Sequence, residues 1–296
     1  MRILVIGGSG FLGSHVSDFL SNDGHDVSIL DIEESPWLKK NQKMIVGDIL
    51  DDDLIDQAIR ETDVVYLFAS IADIDEAIHK PIETVNINIL GAVKIIDKCV
   101  KYKVKRFIFA STVYVYSREG GFYKCSKQAV ESYIEEYHRL HNLEYTIFRY
   151  GSLYGPRADK SNGLLNILLD ACKEGYVSYQ GNVDSEREYI HIFDAAKASC
   201  LAVQDKHFKN ESIVLTGHQH IKMIDLLKMI SEILNLESEI KFSDKNYEGH
   251  YIKTPYAFQP KLGRKYIPPL HVDLGQGILD LLDEINQSNE KKGSIN

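Results

Sequence analysis

The first 31 residues constrain the fold more than any other part of the chain. An apolar run of strand length, Arg2-Ile3-Leu4-Val5-Ile6, leads directly into Gly7-Gly8-Ser9-Gly10-Phe11-Leu12-Gly13. Residues 14–22 read as a helix, 23–26 as a turn and Val27-Ser28-Ile29-Leu30 as a second strand, with Asp31 at its end. Strand, Gly-x-x-Gly-x-x-Gly, helix, strand and acid follow in the order of a βαβ unit that receives a dinucleotide, the acid lying about 20 residues past the loop. The glycines let the backbone turn tightly and approach a pyrophosphate, which sits on the helix N-terminus. Asp31 would accept from the adenosine ribose hydroxyls. A 2′-phosphate would meet that carboxylate, reinforced by Glu33 and Glu34, so the pattern predicts NAD and not NADP. The plainer alternative is a structural glycine turn followed by an unrelated acid.

Strand and helix patterns keep alternating through the first half. Residues 43–46, 63–69, 106–110 and 145–149 read as strands, and 51–60, 82–102 and 122–141 as helices between them. That alternation predicts an α/β fold, a Rossmann-type doubly wound parallel sheet. Past Gly155-Pro156-Arg157 the pattern loosens, with helices expected near 163–174, 194–204, 222–235 and 274–286. Residues 247–269, rich in Pro, Tyr and Gly, read as loop. The expected organisation is an NAD-binding domain over 1–155, to which some later segments return, and a smaller α/β substrate-binding region over 156–287. A flexible polar tail over 288–296 completes it.

The chain has 296 residues, 44% hydrophobic and 26% charged, which is ordinary globular composition with ample core. Its net charge of −9 gives no support for nucleic-acid binding and weighs against an anionic membrane surface. Any anionic substrate must therefore be met by local basic residues. No apolar run reaches membrane-spanning length, and the N-terminal run is the first strand, not a signal peptide. Cys99, Cys125, Cys172 and Cys200 are widely spaced without a paired motif, which predicts free thiols in a reducing cytoplasm. His218-Gln219-His220 has no third ligand at credible spacing, so no metal is expected.

Within the predicted helix 122–141 lies Tyr123-Lys124-Cys125-Ser126-Lys127. Residues i and i+4 share one helix face. An ammonium there favours phenolate and draws a tyrosine pKa from its usual ~10 toward neutrality. Such a phenol serves as base or acid near neutral pH. The spacing alone is weak, because both residues are common on surfaces. The glycine loop and Asp31 give it weight.

Together these motifs resemble the extended short-chain dehydrogenase/reductase family, in particular its nucleotide-sugar epimerases and dehydratases of the UDP-glucose 4-epimerase-like kind, from Met1 to about Asp283. The resemblance implies a cofactor end made by Gly7, Gly10, Phe11, Leu12, Gly13, Asp31 and Ile32, with Asp48 and Ile49 at the adenine. Phe68, Ala69 and Ser70 look like the loop beneath the nicotinamide ribose and pyrophosphate, and Asn88, three residues before Gly91, like the family's helix asparagine. Ala110, Ser111 and Thr112, followed by Val115-Tyr116, resemble the strand that carries the catalytic hydroxyl, here on Thr112. Tyr123 and Lys127 match the family's catalytic pair, which also contacts the cofactor, as does Tyr150. Ser152 and Arg157 belong to a segment similar to the substrate-side loop, and Arg187 to one that meets a nucleotide-sugar diphosphate. The implied partners are a nucleotide-diphosphate sugar and a second copy of the chain, the helices 82–102 and 122–141 pairing in a homodimer.

The implied chemistry is oxidation at a sugar carbon. Tyr123 takes the hydroxyl proton, hydride goes to the nicotinamide, Lys127 holds the ribose and Thr112 orients the substrate oxygen. Hydride return to the other face of a 4-keto sugar gives C4 epimerisation. A dehydrogenase or reductase is the nearest alternative, and a non-catalytic NAD-binding scaffold or sensor is one of a different class. Dehydration at C4 and C6 is demoted, since Val113 and Tyr114 stand where such relatives carry Asp-Glu. A decarboxylase would need further basic residues that the sequence does not place. The loop between Tyr116 and Tyr123 is unusually short, and Ser152 replaces a common Asn. Thr112 as a turn residue and Arg187 or Arg157 as solvated surface charges are the plainer readings of those positions.

Overall fold

Four of the five residues in strand β1 (Arg2–Ile6) are buried, as a parallel strand covered on both faces requires. In this computed structural model residues 1–159, 162–182, 184–217, 220–236 and 240–243 are described. The expected helix at 274–286, the loop at 247–269 and the tail lie outside them.

Strands β2 (Asp26–Asp31), β3 (Gln42–Val46), β4 (Val64–Leu67), β5 (Arg106–Thr112) and β6 (Tyr145–Tyr150) join β1 in one parallel sheet. Beyond β6 come β7 (Ser152–Tyr154), β8 (Ser178–Gln180), β9 (Glu186–His191) and β10 (Glu211–Leu215). Of these, β10 pairs with β6, giving seven strands in the order β10-β6-β5-β4-β1-β2-β3. Chain order reverses beside β1, between β2 and β4. In open α/β sheets a ligand crevice opens at that point, outside the carboxyl ends of the strands.

The period of two along β1 divides its side chains between two cores. Leu4 and Ile6 pack with Phe107, Phe109, Ile95, Ile96, Val130 and Ile134. Ile3 and Val5 pack on the other face with Val16, Leu20, Tyr66, Phe148, Ala195 and Ala196. The covering helices include α1 (Phe11–Asn22), α2 (Asp52–Ile59), α3 (Ile74–His79), α4 (Pro81–Thr84), α5 (Ala92–Lys101), α6 (Gly121–His141) and, after α7 (Gly163–Glu174), α8 (Ile192–Leu201). Helix α9 (Met223–Ile233) and α7 share a third, smaller core around Ala171, Val177, Leu227 and Ile230. Strand β11 (His220–Lys222) pairs with β9, which also pairs with β7, while β12 (Lys241–Ser243) pairs with β8.

Two differences from the sequence expectation matter for the site. The helix expected over 82–102 is not uniform: Val85–Gly91 winds as a π-helix between α4 and α5. After Thr112 the chain takes a form that the sequence pattern leaves unspecified. Val113–Tyr116 forms a 3-10 turn, capped by Thr112 Oγ1 accepting from Tyr114 N at 3.3 Å. Gly120 and Gly121, at φ 97° and 50°, then start α6. A Cβ at Gly120 would meet Tyr114 Cδ1 at 2.8 Å and Lys124 Cβ at 2.9 Å, so the tight return depends on glycine.

Candidate active site

The glycine loop leaves β1 and closes against the β4 end. A Cβ on Gly7 would stand 2.3 Å from Ala69 N, and one on Gly13 would stand 2.1 Å from Gly7 O. Helix α1 begins at Gly10 without a side-chain cap. The first amides of a helix lack intrahelical partners, so those of Phe11, Leu12 and Gly13 remain available to an anion. Asp31 ends β2 beside the loop, Oδ2 accepting from Ser9 N at 2.9 Å and Oδ1 from Ile32 N at 2.8 Å. Each carboxylate oxygen keeps a further lone pair for a ribose hydroxyl. Asp48 is exposed and folds onto Leu50 N at 2.9 Å, while the Ile49 side chain is buried. This cradle fits the pyrophosphate and adenosine of NAD, as its sequence implied.

At the next strand ends the structure assembles a polar corner. Thr112 closes β5, Tyr123 lies in the first turn of α6, and Lys127 follows one turn later. Tyr123 shares a hydrogen bond with the Thr112 hydroxyl, which favours phenolate, but burial outweighs it and pushes the phenol up to about 12. Lys127 is 3% exposed, and burial pulls its ammonium down to about 7. Its Nζ donates to Ala110 O at 2.8 Å and Ser70 Oγ at 3.2 Å, and lies 5.6 Å from the Tyr123 ring centroid. The sequence reading has Lys127 lower the tyrosine pKa with help from a positive nicotinamide; among the protein's own groups it is the Thr112 hydrogen bond that acts in that direction. Desolvation is the largest influence on each group and acts toward the neutral form of both.

Several expected site residues spend their polar atoms on the scaffold. Asn88, in the π-helical turn, accepts from Ile71 N at 2.7 Å and donates to Ile71 O at 2.9 Å and Ser126 Oγ at 3.0 Å. Ser126 Oγ donates to Tyr123 O at 2.7 Å, so Asn88 ties the segment after β4 to the first turn of α6. Ser111 donates to Glu131, and the Tyr150 hydroxyl is buried against Ser199 Oγ at 2.6 Å. Phe68 stacks on Tyr66 with ring centroids 5.7 Å apart. Ile32 is exposed beyond β2.

Toward the substrate side, β7 and β9 set Ser152 beside Tyr189, and the period of two puts Arg187 on that same face. Arg157 goes elsewhere. Its guanidinium donates to Asp18 on α1 at 2.8 Å and stacks 4.7 Å from the Trp37 ring centroid. The neighbouring Pro156 carbonyl bonds His15 Nε2 at 2.9 Å. Arg157 thus clamps the loop after β7 to α1, and no contact links it to Tyr123. His220 Nε2 lies 2.7 Å from Glu188 Oε1, and His218 falls outside the described residues. Among the described residues, no three His, Cys, Asp or Glu side chains gather as a metal site. The sequence reading missed Glu131, which holds Arg149 and Ser111. Its signal was present, eight residues after Tyr123 on the same helix face.

Comparison with known proteins identifies the family. Residues 3–216 match the model of the NAD dependent epimerase/dehydratase family. The chain is 27% identical to a putative UDP-glucose 4-epimerase of Methanocaldococcus jannaschii, over 97% of this chain and 99% of that protein. It is 29% identical to a UDP-N-acetyl-alpha-D-glucosaminuronate decarboxylase of Bacillus cytotoxicus, over 81% and 82% of the two chains. Among solved structures it resembles UDP-glucose 4-epimerase of Thermotoga maritima, crystallised with UDP-glucose, at a TM-score of 0.80 and 27% identity, covering 87% and 90% of the two chains. With the glycine cradle and Asp31 at the ends of β1 and β2, and Thr112, Tyr123 and Lys127 where β5 meets α6, the chain belongs to the NAD dependent epimerase/dehydratase family.

Proposed function

We propose that the chain is an NAD-dependent nucleotide-sugar epimerase acting at C4 through a transient 4-keto sugar. The observation that carries this reading is the corner itself: one hydroxyl, one phenol and one amine meet where β5 and α6 approach the glycine loop's side of the sheet. Bound NAD would supply a hydride acceptor and a positive charge that favours phenolate over phenol. Tyr123, as phenolate, takes the proton from the sugar hydroxyl and later returns it. Thr112 holds the substrate oxygen, so the reacting atoms start near attack geometry. Lys127, anchored on Ala110 O and Ser70, holds the nicotinamide ribose. Val113 cannot transfer a proton, and Tyr114 sits with it in the 3-10 turn, which supports epimerisation over elimination.

Purified chain should carry NAD that acid releases, and should interconvert the C4 epimers of a UDP-sugar without added cofactor. Stoichiometric NADH release would point instead to a dehydrogenase. Because one relative is a decarboxylase, carbon dioxide release from a UDP-uronic acid is the second assay. Arg187 and Ser152 are the proposed diphosphate and sugar contacts. We further propose a homodimer: Ile82, Val85 and Leu90, with Phe122, Tyr133 and Leu140 on α6, are exposed apolar side chains on the helices expected to pair. Light scattering on the purified protein tests it. The four cysteines are unbonded thiols, which suits the reducing cytoplasm proposed for the chain; no described helix is long and apolar enough to cross a membrane.

A further inference from the structure

Behind the Tyr123–Lys127 face lies a buried charge network. Glu131 stands one turn beyond Lys127, so Tyr123, Lys127 and Glu131 occupy i, i+4 and i+8 of α6. The Glu131 residue is 7% exposed. Its Oε1 accepts from Ser111 Oγ and from Arg149 Nε at 3.0 Å, and its Oε2 accepts from Arg149 Nη2 at 2.6 Å. Arg149 Nη1 donates to the Tyr116 hydroxyl, and its guanidinium lies 4.9 Å from that ring's centroid. Each member adjoins the site in the chain. Ser111 precedes Thr112, Tyr116 ends the turn that Thr112 caps, and Arg149 precedes Tyr150. Stability alone does not explain such a pair, because apolar residues of similar volume often serve as well.

We propose that Glu131 is a positioning residue for the redox corner, holding β5, β6 and α6 in register and supplying the counter-charge to the Lys127 ammonium. The inference rests on the catalytic reading of Tyr123 and Lys127. Lys127 is faced by Tyr123 from α6, by Ser70 after β4, and by the Ala110 carbonyl and Phe109 ring of β5, and Glu131, one turn further along α6, acts on it by charge. Glu131 is faced by Ser111 of β5 and by Arg149 and Tyr145 of β6. Against the burial that lowers Lys127, the Glu131 charge is the group that raises it.

The test is the pH profile of epimerisation for the NAD-loaded wild type, Glu131→Gln and the double variant Glu131→Gln/Arg149→Met. Removing the anion makes the ammonium easier to deprotonate, so both limbs of the profile should move to lower pH by about one unit. At the optimum kcat should fall roughly tenfold, while KM for the nucleotide sugar stays within about twofold. The double variant leaves no unpaired buried charge, so it should recover thermal stability but not the pH profile. Unshifted profiles in folded, NAD-loaded variants would overturn the proposal. Failure of the double variant to fold would overturn it too, making the pair purely structural. A wild-type chain inert toward every nucleotide sugar would sink the Tyr123–Lys127 reading, and this inference with it.

Discussion

The glycine loop and the Thr112–Tyr123–Lys127 corner both sit at strand ends of one sheet, yet they are built from different materials. The loop works through backbone. Gly7 and Gly13 leave no room for a side chain, the Gly7, Ser9 and Gly10 amides are spent on Leu30 O, Asp31 and Gly7 O, and Asp31 is tied down by two main-chain amides. The corner works through side chains drawn from β5, the segment after β4, α6 and the π-helical turn. A backbone site tolerates little change at its glycines and much around them. A side-chain site depends on partners far away in sequence, and its chemistry is set by how completely they exclude water.

The largest expected effect separates the two regions cleanly. Tyr123→Phe should lower turnover roughly a thousandfold, the scale of a lost general acid–base group, while NAD content and the unfolding midpoint remain those of wild type. Loss of bound NAD in that variant would show that the corner also builds the cofactor site. Next comes the loop. Gly7→Ala places a Cβ 2.3 Å from Ala69 N at a φ of 84°, and should destabilise by about 3 kcal/mol and abolish NAD binding. Denaturant unfolding and calorimetric titration measure both, and wild-type affinity would refute the backbone account.

A smaller effect tests the scaffold of the corner. Asn88→Ala leaves the Ile71 amide and carbonyl and Ser126 Oγ without their partner, at a cost of about 1–3 kcal/mol. Turnover should fall with it, since the Asn88–Ser126 link ends at the Tyr123 carbonyl. A stable variant with unchanged kcat would mean that Asn88 positions nothing. The smallest effect returns to the loop. Asp31→Asn should weaken NAD roughly tenfold and narrow its preference over NADP, because the repulsion of a 2′-phosphate is removed. Fluorescence titration with both dinucleotides decides it.

Legibility in the sequence followed the same division. The βαβ unit is local: its strands, glycines, helix and acid all lie within residues 2–31, although Gly7 is also held close by Ala69 after β4. Helix α6 and strand β5 were readable from apolar patterning, and Tyr123 and Lys127 from spacing. The π-helical turn at Val85–Gly91 was not readable, because the bulge arises where Asn88 turns inward to bonds with Ile71 and Ser126. The 3-10 turn after Thr112 was hidden for a related reason. Val113-Tyr114-Val115-Tyr116 has β propensity, and tertiary closure onto α6 overrides it through Gln128 Nε2 donating to Val115 O at 2.9 Å. Arg157 matched in loop position, and its guanidinium is divided: Nη2 donates to Asp18 and the group stacks on Trp37, while Nη1 is buried without a hydrogen-bond partner.

By itself the sequence determined the parallel α/β architecture and the dinucleotide cradle and pointed to Thr112, Tyr123 and Lys127 as the proposed catalytic side chains, because these depend on short-range order and residue chemistry. Only the tertiary structure decided their electrostatic state. Whether Lys127 charges Tyr123, or burial neutralises both, turns on packing by Phe109, Ala110 and Ser70 and on the Glu131–Arg149 pair behind them. Desolvation is a sum over all neighbouring atoms in space, and no spacing along a chain records it.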